Sequence, residues 1–380
     1  MEIKRLGAEH YDDLINLLNV VFSRKNGRDM DFEKEIPKMC VRDDEHMGKH
    51  LGIYEGDRLA AAMGVYPFDT VVAGQELTFA TTGNIAVHWD FEGRGYMGAM
   101  LDFAMKELER MNVDCARLGG LRSRYNRYGF ETCGQNYSFN FTSKNRERKF
   151  VDFKDDITFA PIGADDVDWH TFAASIYNRK AIAVPRTPEN VYLCMTTWKN
   201  RPFIAMRGGY AIGYLCVNPV GDTIAEMAAV DVASLADMVC AWQARVGEIL
   251  HFTLPAYDIE AIRLFSAVCE SSSIVTPSHF KVRNWEKVVD AFLKLKASYS
   301  PLVCGELIIE VVDYGTIRLF VDGENVGCER TERSPDVSLD GHSASRYIFG
   351  PYPPICTADA PAIAQAWFPL PLSWNGQDRV

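Results

Sequence analysis

The chain is 380 residues long, with 47% apolar and 24% charged residues and a formal net charge of −11 at pH 7. That length exceeds what a single hydrophobic core fills, so two or three domains are expected. No apolar run approaches the roughly 18 residues of a membrane span, and an acidic chain lacks the concentrated basic face that a nucleic-acid backbone requires. Neither membrane nor nucleic acid is therefore an expected partner. The opening MEIKRLGAEHYDDL carries no signal-peptide core, which sets the expectation of a cytoplasmic protein. The surplus of carboxylates suits a cationic substrate. Ten cysteines are scattered singly, without C-x-x-C or paired histidine spacing, and read as reduced thiols with no metal site.

Along the chain, Ala8 to Phe22 places Tyr11, Leu14, Ile15, Leu18 and Val21 at helical spacing. Three strand candidates follow, HLGIYEG, RLAAAMGVYPFDTVVAG and QELTFATTGNIAVHW, separated by Gly, Asp and Pro turns. A Gly-rich turn then opens a helix whose Met97, Met100, Leu101, Ala104, Leu108 and Met111 share one face. A strand, CARLGGL, and a helical turn, RSRYNRYGF, closed by Gly129 complete an α/β unit. The charge-dense stretch around residues 145–155 reads as a boundary. A second α/β segment repeats the order, with a helix from Val167 to Asn178, the hairpin-like pair RPFIAMRGG and YAIGYLCVNPV, the strand TIAEMAAVD and a helix from Leu235 to Ile249, without a Gly-rich loop. The last hundred residues change texture. A helix from Trp285 to Ser298 precedes the alternating GELIIEVVDYGTIRLFVDGENVGCERT and a Pro-rich tail ending WNGQDRV, which reads as an α+β domain.

The Gly-rich turn carries the clearest chemistry. Gly93, Gly95 and Gly98 leave backbone N–H groups open to an anion, and the helix that follows adds its positive end. The spacing also fits G-x-G-x-x-G, the signature of dinucleotide binding. That motif needs a carboxylate about 20 residues on to hold a ribose, and the run ARLGGL offers none. The glycines are read as the cradle of a different phosphate ligand.

Val87-His88-Trp89-Asp90-Phe91-Glu92-Gly93-Arg94-Gly95-Tyr96-Met97 is similar to the pyrophosphate loop V-x-P-x-[YF]-R-[GR]-[KR]-G-[IL]-[GAL] of the GNAT superfamily of N-acetyltransferases. Tyr125-Asn126-Arg127-Tyr128-Gly129-Phe130 resembles that superfamily's Y-x-[KR]-x-G-F signature. With this domain order the whole chain resembles the Eis-like (enhanced intracellular survival) family. The resemblance implies two tandem GNAT-like α/β domains, a catalytic one at 1–148 and a degenerate one at 149–284, then an α+β domain like sterol carrier protein at 285–380 whose tail reaches the active site. It also implies acetyl-CoA as cofactor, a small-molecule amine as partner, and a homo-oligomer, trimeric or hexameric. The sequence departs from the pattern at Trp89, where proline is usual, at Met97, where glycine or alanine is usual, and at Glu92, which sets a negative side chain beside the pyrophosphate.

Acetyl transfer to an amine needs a held thioester, an oxyanion stabiliser, a base and an acid. Backbone groups of Ile85, Ala86 and Val87 are expected to grip the pantetheine arm and polarise the thioester. Gly93, Arg94, Gly95, Tyr96, Met97 and Gly98 are expected to hold the phosphates. Tyr125 is the expected acid, since a phenol of pKa about 10 is protonated at neutral pH and matches a leaving thiolate. Tyr128 competes, but the signature's spacing selects Tyr125. For the base, the resemblance implies the carboxylate of Val380; acidic residues near the N-terminal cleft remain rivals, and His88 reads as structural. The acceptor is expected to be a cationic primary amine such as an aminoglycoside, a polyamine or a lysine-like group. A non-catalytic acyl-CoA sensor and an apolar-ligand carrier built on the last domain stay open.

Overall fold

The computed structural model describes residues 2–150, 153, 156–352 and 360–380. Three sheets organise them. The first runs in the order Lys4–Arg5, His50–Glu55, Arg58–Val72, Gln75–Val87, Cys115–Leu118, Ser278–Val282 and Glu131–Cys133, with Ile182–Ala183 paired to Arg58–Val72. The second runs Ser271–Val275, Asn136–Phe141, Leu250–Pro255, Thr223–Ala229, Tyr210–Val217, Arg201–Arg207 and Ile157–Pro161. The third has four strands, Asn325–Arg330, Gly315–Asp322, Gly305–Val311 and Val337–Leu339. Mixed sheets flanked by helices make this an α/β and α+β fold with two tandem GNAT-like units, as the resemblance implies.

The periodic segments fold as their patterns dictate. Tyr11–Asn26 is a helix burying Tyr11, Leu14, Ile15, Leu17 and Leu18, and it stops at Gly27, whose φ of 63° is left-handed. Tyr96–Arg110 buries Tyr96, Met100, Leu101, Ala104 and Leu108 against the first sheet. Trp285–Tyr299 packs its apolar face into a core that joins the third sheet to the first, with Val288, Phe292, Leu307 and Leu319 beside Leu77 and Phe79.

The sheets are interleaved, a feature absent from the sequence pattern. Asn136–Phe141 lies before the expected boundary yet pairs inside the second sheet with Leu250–Pro255 and Ser271–Val275. In return Ser278–Val282 crosses back and fills the place between Cys115–Leu118 and Glu131–Cys133. The first sheet thus owns a strand donated from beyond the second, whose own strands all lie between Asn136 and Val275.

Two irregularities mark the middle of the first sheet. Its strands Gln75–Val87 and Cys115–Leu118 pair in parallel only from Phe79 opposite Cys115 to Thr82 opposite Leu118, and then diverge. Just beyond, the register against Arg58–Val72 slips between Ala62 and Gly64, a bulge at which Asn84 takes a φ of 53°. Asn84 Nδ2 donates to Tyr66 Oη at 2.7 Å, and the Tyr66 hydroxyl meets His50 Nε2 at 2.8 Å, so a buried polar chain holds the bulge. Burial pulls the His50 pKa down to about 4, which keeps its ring neutral and able to accept that proton. The second sheet repeats the splay. Thr223–Ala229 and Leu250–Pro255 pair only at Thr223 with His251 and Ile224 with Phe252.

Candidate active site

A cleft of about 780 Å³ opens at the end of the Gln75–Val87 strand. Gly93 and Gly95 adopt φ values of 78° and 79°, and a Cβ on either would meet nothing within 4 Å, so their faces are open to a ligand. The Tyr96–Arg110 helix begins at Gly95 with no side chain capping it. Its first amides are therefore unclaimed by side chains and point their dipole into the cleft. This geometry fits a diphosphate. Ile85 and Val87 line the same cleft, as do Tyr96, Met97 and Gly98. Ala86 and Arg94 are not among the residues lining the cleft: the Ala86 side chain is buried in the core under the Tyr11–Asn26 helix, which leaves its expected backbone contact untouched, and the Arg94 side chain lies over Phe91 and toward Glu55. Glu92 lines the cleft but is exposed to solvent.

The cleft also gathers residues that no sequence motif singles out. Phe22, Arg24 and Lys25 come from the last turns of the Tyr11–Asn26 helix, and Arg124 and Arg127 from the opposite wall. Arg24 stacks on Trp89 with its guanidinium 4.8 Å from the ring centroid. A run of cations after an apolar helix face is the available signal, but such residues read as a solvated helix end. His88 caps the short 3₁₀ turn Trp89–Phe91 by accepting from Asp90 N at 3.3 Å, so its role is structural.

Tyr125 closes the helical turn Arg122–Tyr125 and is buried, its ring packed so tightly on Gly120 that a Cβ there would lie 2.8 Å from Cε2. Its hydroxyl makes no hydrogen bond among the described residues, whereas that of Tyr128 accepts from Arg127 Nη2 at 2.9 Å. The turn is clamped from behind. Glu131, 1% exposed, accepts from Arg122 Nε at 2.6 Å, from Asn126 Nδ2 at 3.1 Å and from Arg346 Nη1 at 2.7 Å. His342 adds a bond to the Asn126 carbonyl at 2.7 Å, so the third unit's helix Gly341–Phe349 fastens the segment bearing Tyr125.

Val380 reaches the same sheet from the far end of the chain. A Cβ on Gly83 would lie 3.1 Å from Val380 O and 3.4 Å from its carbonyl carbon, so the tail seats directly on the strand that leads into the cleft. Its approach is rigid. Trp374 stacks on Phe79 with centroids 5.4 Å apart, Gln377 is held by Asn200 Nδ2 at 2.9 Å, and Asp378 accepts from Tyr177 Oη at 2.5 Å and from Arg186 Nη2 at 2.9 Å. Arg186 in turn grips Glu226 through two bonds of 2.7 and 2.8 Å, with all three side chains buried. Lys38 closes the cluster by donating to the Gln377 carbonyl, and burial draws its pKa down to about 8.

Residues 2–133 match the family model described as "Acetyltransferase (GNAT) domain". No curated protein sequence matches the chain. Solved structures share its fold over nearly the whole length. A GCN5-related N-acetyltransferase from Kribbella flavida is 15% identical, covers 97% of this chain and 95% of its own, and has a TM-score of 0.65. One from Anabaena variabilis is 16% identical over 98% of both chains, with a TM-score of 0.66. Eis1 from Mycobacterium abscessus is 15% identical over 99% of both, with a TM-score of 0.64. The Gly-rich cradle, the splayed strand pair and the helical turn bearing Tyr125 all lie within the segment 2–133 that matches the acetyltransferase (GNAT) domain model, on a fold shared with these solved structures.

Proposed function

We propose that the protein transfers an acetyl group from acetyl-CoA to a primary amine, directly and within a ternary complex. The observation that carries this reading is the seat of Val380 against Gly83, on the strand that runs into the cradle. Acetyl-CoA supplies the acyl group as a thioester. Open amides at Gly93 to Gly98 and the cations Arg24, Lys25, Arg124 and Arg127 are suited to hold its phosphates, and the backbone from Ile85 to Val87 its pantetheine arm.

In this mechanism an N–C bond forms as a C–S bond breaks. The Val380 carboxylate accepts the proton leaving the amine, and Tyr125 donates one to the departing sulfur. A free Tyr125 hydroxyl supports the second role, and a tail fixed by Asp378 and Gln377 supports the first. The third unit acts as a wall of the site, on the strength of its clamp at Glu131 and of the core it shares with Phe79. That unit's likeness to sterol carrier protein, a cytoplasmic location and assembly as a trimer or hexamer belong to the same reading; light scattering on the purified protein tests the assembly.

Thiol release from acetyl-CoA, followed with an amine panel, is the test. Wild type should turn over, and Tyr125→Phe should lose about 10² to 10⁴ in kcat, the usual worth of acid catalysis. A Tyr125→Phe enzyme that keeps more than about a tenth of the activity removes the tyrosine from the reaction. CoA binding without turnover of any amine would turn the assignment toward an acyl-CoA sensor, and copurifying fatty acid toward a carrier.

A further inference from the structure

The Tyr125 hydroxyl bonds to nothing among the described residues, so its place depends on the chain that carries it. That chain is built of small pieces. Two single turns, Arg122–Tyr125 and Asn126–Tyr128, lead into the three-residue strand Glu131–Cys133. Helix nucleation is unfavourable, and one turn adds too few bonds to offset it, so such a segment does not keep its shape alone. The position of the hydroxyl is set by what holds the segment from outside.

One helix of the third unit holds it at three points. Gly341–Phe349 buries Ala344, Tyr347 and Ile348 in the core shared with Trp285–Tyr299, and presents His342 and Arg346, four residues apart, to the segment. His342 Nε2 donates to the Asn126 carbonyl at 2.7 Å, and Arg346 Nη1 to Glu131 Oε2 at 2.7 Å. At the helix end, where carbonyls lack partners within the helix, Phe349 O accepts from Gly134 N at 2.6 Å. The helix start is itself fixed, since Asp340 accepts from His342 N and Ser343 N at 2.9 and 3.0 Å. From the crossing strand Ser278–Val282, Lys281 Nζ donates to the Tyr128 carbonyl at 2.7 Å.

Glu131 passes this hold to the tyrosine. Its buried carboxylate accepts from Arg122 Nε and Nη2 at 2.6 and 2.7 Å and from Asn126 Nδ2 at 3.1 Å, which ties the first residue of the turn to the residue after Tyr125. We propose that Arg346 and His342 are positioning residues for acetyl transfer: acting through Glu131 and Asn126, they place the Tyr125 hydroxyl where it meets the departing sulfur. This deepens the transferase reading and rests on Tyr125 as its acid. The unit that carries the cradle and the acid then owes its rate to side chains 215 and 216 residues further along.

The experiment is a double-mutant cycle on the full chain, read as thiol release from acetyl-CoA at saturating amine. Arg346 is half exposed, so its replacement opens no core. Arg346→Met should lower kcat about ten- to a hundredfold, the size expected of a reacting group displaced by about an ångström. Arg124 and Arg127 line the cleft from the same segment, so the Kd for CoA should rise as well, but by no more than about threefold. Arg346→Lys, which keeps a cation, should recover part of the loss. In a Tyr125→Phe background Arg346→Met should cost nothing further, because no hydroxyl is left to place. His342→Leu runs the same cycle if Arg346→Met fails to fold. Wild-type kcat in Arg346→Met overturns the proposal, as does an equal loss with and without the Tyr125 hydroxyl, which marks a merely structural role. The two readings fail separately. Tyr125→Phe at the wild-type rate removes the acid and the proposal with it, whereas an inactive Tyr125→Phe beside a fully active Arg346→Met keeps the acid and removes the positioning.

Discussion

Replacing Asp378 with alanine tests the tail most directly. Its carboxylate sits 2.9 Å from Arg186 Nη2 and 2.5 Å from the Tyr177 hydroxyl, 4% exposed. Removing it leaves a buried guanidinium with Glu226 alone and the Tyr177 proton without an acceptor, since Asn375 Nδ2 only donates to that oxygen. Breaking a buried charge pair costs about 3–5 kcal/mol, and because Glu226 remains, the lower end of about 3 applies. The lost contacts belong to the tail, so the cost falls on its docking and shifts that equilibrium by about two powers of ten. Asp378→Ala should therefore lose up to about 100-fold in kcat in the thiol-release assay, lower the urea midpoint, and bind CoA as wild type does, because the cradle lies elsewhere. Asp378→Asn keeps the shape and should fall between the two. If Asp378→Ala stays within twofold of wild type in kcat and unfolds at the same midpoint, the buried cluster does not hold the tail and Val380 has no claim on the chemistry.

Acid should release the same cluster. Burial would raise the Glu226 pKa, but Arg186 and the bonds it donates outweigh it and hold the carboxyl below its ordinary value. The stability this contributes is complete above about pH 4.3 and is lost as pH falls below it, so protease cleavage near the tail should rise in that range. His50 gives a second signature. With its folded pKa near 4, below the ordinary value, it stabilises the fold fully above about pH 6.5 and withdraws on the order of 3 kcal/mol as pH falls toward 4. An imidazole resonance that titrates near 6.5 in the folded protein would falsify this. Gly83→Val should depress kcat by tenfold or more with CoA affinity intact, because even a single Cβ there would stand 3.1 Å from Val380 O. Gly95→Val, at a φ of 79°, should instead weaken CoA binding measured by calorimetry; an unchanged affinity would take the cradle out of the site.

The parts of the molecule legible in its sequence obey local rules. The face of the Tyr96–Arg110 helix is legible because apolar residues recur at helical spacing, and the cradle because glycine is required at positive φ. The strand exchange is not. Ser271–Val275 is largely exposed and polar, so nothing in its pattern speaks of a partner, and pairing of Ser278–Val282 with Cys115–Leu118 is decided by contacts far apart in sequence. The buried cluster is hidden for a different reason. Arg186, Glu226 and Asp378 each read alone as a solvated charge, and the run WNGQDRV as a loose end, although Gln377 and Asp378 are 1% and 4% exposed. Tyr125 stands out by its spacing to Gly129 and Phe130, while the clamp through Arg346 and Glu131 joins elements that no motif connects.

Synthesis on the ribosome meets the strand exchange as a matter of timing. Cys115–Leu118 can pair on one side as soon as it emerges, but its other edge waits for Ser278–Val282. At about 5–20 residues per second that wait lasts roughly ten to thirty seconds. During it the first sheet presents a bare row of amides and carbonyls to the cell, the kind of surface that invites chaperones, and fragments ending near residue 148 would carry it permanently.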